Sequence, residues 1–181
     1  YTNSYAIDVV RNQVAVSNKN LMSMYMGQID KNLEDVDNYL ISLITPNTDL
    51  QSLEYFISES ERYYTKNRLF INLSKNLSSY KSVDGLFAYS FPNEDMIEAN
   101  STRTTFDERE NMRTYIQQAV KTKSASLALF SKGWYVVQLD ERNYLFRLLK
   151  SDGGSFVGAW IDFDNLMIPL NFISLGEKGK A

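Results

Sequence analysis

The chain has 181 residues, of which 44% are hydrophobic and 13% aromatic, and its formal net charge is −3. Such a composition supplies a core for one domain of ordinary size and excludes a disordered chain, while the lack of a dense basic block argues against a nucleic-acid partner, since phosphate neutralisation needs clustered Lys and Arg. Cys and His are both absent, which removes disulfides, thiol nucleophiles, Cys/His zinc sites and every imidazole base.

The first predicted element is a helix from about Tyr5 to Ile44, a stretch without Pro and with Gly27 as its one glycine. Met22, Met26, Ile29, Leu33, Val36, Leu40 and Leu43 recur at alternating spacings of four and three, which is a heptad seam. Upstream the same register would turn Lys19, Ala15 and Asn12 inward, and Val10, Val14, Leu21 and Tyr25 form a shifted stripe instead. A helix of this length spans roughly 60 Å, more than a small core covers. Its second half is therefore expected to pack on the domain, and its first half to protrude or pair with another chain.

Pro46 ends that helix, and Thr48 or Asp49 is placed to cap the next. Its stripe runs through Leu53, Phe56, Ile57, Tyr64, Leu69, Phe70, Leu73 and Leu77. Tyr55, Tyr63 and Tyr64 resemble a stacking platform, but on a helix the expectation is partial burial against a sheet. After Tyr80 the period falls to two: Val83 to Phe91 reads as a strand, the turn "PNED" follows, and "MIEAN" is a short second strand. Thr105 or Asp107 then caps the helix "DERENMRTYIQQAV", and a loop runs from Lys121 to Lys132. Three strands, "WYVVQLD", "NYLFRLLK" and "SFVGAWIDF", are joined by the tight turns "DERN" and "SDGG", and a short helix is expected around Asn165 to Ile173. Runs of strands with helices set to the sides indicate an α+β fold: a long leading helix packed on a central five-stranded antiparallel sheet flanked by helices.

The final strand poses the chemical question, because it carries Asp162 among Trp160, Ile161 and Phe163. By alternation Asp162 shares a face with Phe156, Gly158 and Trp160. A carboxylate on an aromatic face needs a cation or several donors, as an unpaired buried charge costs several kcal/mol. Arg147, between Leu145 and Leu149 on the adjacent strand, is the candidate partner; the alternatives are a ligand cation, or a capping role for Asp162 and Asp164 on the following helix. Tyr89, Trp134, Tyr135 and Trp160 offer aromatic surfaces of the kind sugar sites use. No acid pair sits on a recognisable catalytic scaffold, no EF-hand spacing is present, and Gly153-Gly154 lacks the strand-to-helix setting of a phosphate loop. No catalytic residue, metal or cofactor is expected.

The helix "QIDKNLEDVDNYLISLI", the strand "SVDGLFAYS", and the hairpin "YLFRLL" with "GSFVGAWIDFDNLMIPL" together resemble the Cache-type sensor domain, an extracytoplasmic relative of the PAS fold. The head "VVRNQVAVSNKNLMSMYMGQIDKNLEDVDNYL" is similar to the ectodomains of YesM-like sensor histidine kinases. That resemblance implies a leading stalk helix over residues 1–45, a Cache/PAS-like domain over 46–175, and at 176–181 the start of a connection to a further domain. It further implies an extracytoplasmic module of a cell-membrane protein, anchored by flanking segments. Such a module is dimeric in the full-length protein and senses a sugar, an amino acid or a solute-binding protein for a two-component histidine kinase. The opening without Met and the end "GEKGKA" fit a segment of a longer protein. In amino-acid-binding relatives an Asp in the strand matching "GAWIDFDNL" grips the ligand ammonium, and Asp162 falls on that position. The matching carboxylate-binding cluster has no counterpart, since "TRTTFDERENMRTYI" offers Arg103, Arg109, Arg113 and Tyr115 without a Trp. The expected pocket lies on the sheet face opposite the long helices, roofed by residues 95–132. Tyr89, Trp134, Arg147 and Asp162 point into it, and Arg103 or Arg113 reaches down from the roof. The remaining alternatives are a chemoreceptor-type sensor and a structural dimerisation domain without a small ligand.

Overall fold

In the computed structural model, which describes residues 4–12, 19–46, 48–55, 57–123 and 133–169, the heptad seam is buried along its whole length, from Met22 to Leu43. What it packs against is a five-stranded antiparallel sheet, so the α+β class and the flanking helices follow the sequence reading. The strands are β1 (Gly85–Ser90), β2 (Asp95–Asn100), β3 (Tyr135–Leu139), β4 (Arg142–Lys150) and β5 (Phe156–Asp162). Their spatial order is β2-β1-β5-β4-β3. The first and last strands thus lie side by side at the centre, with β1 and β5 paired from Gly85 opposite Trp160 to Tyr89 opposite Phe156. Both are buried throughout, because helices cover both faces.

Strand parity divides the core in two. Leu86, Ala88, Ile97, Ala99, Leu145, Val157, Ala159 and Ile161 face the seam of α2 (Lys19–Ile44) and Leu69 and Leu73 of α4 (Glu59–Ser79). On the other face Phe87, Tyr89, Phe146, Leu148, Phe156 and Trp160 meet Met112, Ile116 and Val120 of α5 (Phe106–Lys123), which recur at helical spacing on one stripe. The aromatic rings there interlock, Tyr115 standing edge-on to Phe146 with centroids 5.1 Å apart.

Two expectations about the helices are corrected. The leading segment is helical over α1 (Ser4–Asn12) and α2; residues 13–18, and Val14 with them, lie outside the described part. Val10 is not on a stripe beyond the reach of the core: it is 0% exposed and, with Ala6 and Ile7, joins the core that holds Trp134. Leu21 is exposed, and Tyr25 is half-buried with its hydroxyl donating to the Leu166 carbonyl at 2.8 Å. The second helix is broken, into α3 (Asp49–Ser52), capped by Thr48, and α4. Ser58 and Glu61 form a reciprocal capping box at the start of α4, an S-x-x-E signature that restarts the helix. Its apolar stripe is narrower than periodicity suggests. Leu69 and Leu73 are buried, whereas Tyr55, Tyr63, Tyr64 and Phe70 stand in solvent; Phe56 lies outside the described residues.

The hairpin between β3 and β4 turns at Asp140 and Glu141, both at positive φ (47° and 66°), which matches the twist of the flanking strands. After β5 the chain is helical over residues 163–169. Among the described residues no helix is long and apolar enough to cross a membrane.

Candidate functional site

Three acids gather where β1 begins and β5 ends, and each is there for a local reason. Asp84 precedes β1 and is 0% exposed. Its backbone N–H donates to the Trp160 carbonyl (3.0 Å) and its carbonyl accepts from Ser101 (2.8 Å), so it is locked between β5 and the end of β2. Gly85 follows it because a Cβ there would run into the Trp160 indole. The Asp84 carboxylate accepts from the Asp162 backbone N–H at 2.7 Å, the Asn165 amide at 2.5 Å and Arg103 Nη2 at 3.1 Å. Asp162 in turn accepts the Asp164 N–H on Oδ1 at 2.9 Å, the capping role that the sequence left open, and the Arg142 guanidinium on Oδ2 at 2.9 Å. Glu108 comes from α5, where Thr105 and Glu108 close a reciprocal capping box. Its Oε1 accepts from the Tyr144 hydroxyl at 3.1 Å and lies 3.5 Å from Arg142 Nη1.

The electrostatics are set by burial with too few cations. Glu108 and Asp162 side chains are each 8% exposed and share one guanidinium, that of Arg142, which is 52% exposed. Burial pushes the Glu108 carboxyl above its ordinary range, and the neighbouring Asp162 carboxyl pushes further the same way, against the hydrogen bonds from Thr105 and Tyr144. Burial also raises Asp84, only partly offset by its Asp162, Asn165 and Arg103 partners. The Tyr144 phenol is raised by burial and then by Glu108. Glu108 and Asp162 are thus two buried carboxyl groups with the Arg142 guanidinium on their solvent side. Among the described residues no group of three or more acids is arranged to hold a metal ion.

The residues expected to line one pocket are dispersed. Arg147 does not meet Asp162: it lies opposite Ala159, while Asp162 lies opposite Tyr144, so the two differ by an odd number of positions and point to opposite faces. Arg147 bonds Asp37 of α2 instead, at 2.9 Å. Trp134 is buried in the core beneath α1 and α2, on the other face from Tyr89. Tyr89 is buried under Phe91 and Phe156, and among the described residues its hydroxyl finds no hydrogen-bond partner. Arg113 is held by Glu98 and Glu110 at the surface of α5. Only Asp162 and Arg103 come together, through Asp84. Beneath α5 the described residues form a buried apolar cluster, and part of the expected roof, residues 124–132, lies outside the described residues.

Asp84, Glu108, Arg142, Tyr144 and Asn165 were not singled out from sequence. For Glu108 a signal existed, the T-x-x-E spacing from Thr105; for Tyr144 it was its even spacing from Phe146 and Leu148, which sets it on the α5 face. Arg142 opens β4 and Asp84 immediately precedes β1, at strand ends where periodicity says little. No family model, curated protein or solved structure matches the chain.

Proposed function

We propose that the chain is the extracytoplasmic, Cache/PAS-like ligand-sensing domain of a transmembrane receptor, of the two-component histidine-kinase type, dimeric through its leading helices in the full-length protein. The observation that supports this reading is a continuous hydrogen-bonded path from half-exposed arginines to the leading helix. Arg103 and Arg142 hold Asp84 and Asp162, these acids hold the start of the 163–169 helix through Asp164 and Asn165, and that helix accepts the Tyr25 hydroxyl of α2 at Leu166. A ligand that takes over either arginine changes the constraint on the helix, and α2 is the element in a position to carry that change outward. It does so to the extent that the ligand binds one arrangement more tightly than the other.

A thermal-shift screen against sugars and amino acids tests the first half. A ligand at 100 times its Kd adds about 2.7 kcal/mol of stability, or roughly 5–11 °C for a chain of this size. Tyr25→Phe in the full-length receptor tests the second half: binding is retained and the output is lost. The competing reading is a structural dimerisation domain without a small ligand, favoured by the buried apolar cluster beneath α5. It prevails if no compound of either class stabilises the chain and Tyr25→Phe leaves the output unchanged.

A further inference from the structure

A cleft of about 380 Å³ opens at the edge of the molecule between the last turns of α4 and the chain that leaves β2. It lies on the α4 side of the sheet, away from α5. Its charged lining among the described residues is Lys81 and Arg103, with no carboxylate, in a chain that carries 22 acids against 19 bases. Lys81 is exposed and makes no ion pair among the described residues. Arg103 is 42% exposed and commits only Nη2 to Asp84, so the guanidinium keeps charge and N–H donors for an anion in the cleft. Leu77 and Val83 form an apolar floor, and Ser74, Ser78, Asn100 and Thr102 supply short hydrogen-bonding groups around it.

We propose that this cleft binds a small hydroxylated carboxylate of the sugar-acid class, with the carboxylate on Arg103 and Lys81 and the hydroxyls on Ser74, Ser78 and Asn100. Two cations over an apolar floor favour an anion with a carbon face, and the ring of hydroxyl and amide groups favours a polyol over a fatty chain. Because Arg103 also holds Asp84, an occupied cleft orders the guanidinium and strengthens the clamp on Asp162 and Asn165. Only that consequence rests on the sensor reading; the binding site itself does not.

The test is a titration of the 181-residue chain with D-glucuronate, read by amide chemical shifts at residues 100–103 and by calorimetry, with D-glucose as the neutral control. Glucuronate is expected to shift those amides and to bind at least about tenfold more tightly than glucose, the equivalent of about 1.4 kcal/mol, with affinity falling as salt is raised. Arg103→Gln is expected to abolish binding. Lys81→Gln, at an exposed side chain without an ion pair among the described residues, leaves the fold intact and is expected to weaken binding by about tenfold. No shift with glucuronate, equal affinity for glucose, or wild-type affinity in Lys81→Gln overturns the proposal. Binding without any change in receptor output would leave the site standing and sink the sensor reading.

Discussion

Removing Asp84 is expected to cost far more than removing Asp162, although both are buried carboxylates in one network. Asp84→Ala strands the backbone N–H of Asp162, which is buried, at a cost of roughly 1–3 kcal/mol. It also frees the half-buried Asn165 amide, roughly another 1 kcal/mol. Arg103, 42% exposed, turns to water at little cost. Against this, the native state no longer buries a carboxylate whose proton affinity burial has raised. The net loss is about 2–3 kcal/mol, or roughly 4–12 °C in melting temperature. Asp162→Ala removes a cap on Asp164, worth about 1 kcal/mol, leaves a half-exposed Arg142 that water can solvate, and relieves Glu108 of a neighbouring charge. Its net cost is about 1 kcal/mol or less. Urea denaturation of Asp84→Ala, Asp84→Asn and Asp162→Ala, with equal m-values as the check on two-state behaviour, gives the comparison. Asp84→Asn keeps an oxygen for the Asp162 N–H and should fall between wild type and Asp84→Ala. Equal losses for Asp84→Ala and Asp162→Ala, or an Asn variant no better than Ala, would refute the reasoning.

Glu108 has its folded pKa raised above the ordinary 4.5, so the stability it contributes is present below that value and lost as pH rises through the folded pKa. Glu108→Gln is therefore expected to gain on wild type in melting temperature as pH rises above 4.5; parallel pH profiles would count against a raised Glu108 carboxyl. Glu141 sits at φ 66°, a left-handed conformation that costs a non-glycine roughly 1 kcal/mol or more. Glu141→Gly should stabilise by about 0.5–1 kcal/mol, and a loss in urea would mean that the turn relaxes elsewhere. Val10→Asp places a carboxylate where α1 meets the core. It should release α1, raising amide exchange over Ser4–Asn12 and exposing Trp134 to fluorescence quenchers, whereas unchanged exchange would show α1 undocked from the start.

What the sequence determined alone is what depends on near neighbours in the chain. The seam from Met22 to Leu43 specified one buried helical stripe, the alternation in "SFVGAWIDF" specified two faces of β5, and the turns "DERN" and "SDGG" specified an antiparallel meander. These patterns are strong because a single face is buried and each slip would expose it. Tertiary structure decided everything that depends on which strand or helix lies alongside. The sheet order set Arg147 opposite Ala159 rather than Asp162, so a cation and an acid that look adjacent in a strand diagram belong to different layers. The docking of α1 buried Val10, which local periodicity had assigned to solvent or to a partner. Asp84, Arg103, Glu108 and Arg142, from four separated stretches, meet only because the start of β1, the β2–α5 connection, the first turn of α5 and the start of β4 converge at one end of β5. No local pattern encodes that meeting, since a carboxylate's partner is chosen by proximity in space while periodicity reports only which way a residue faces.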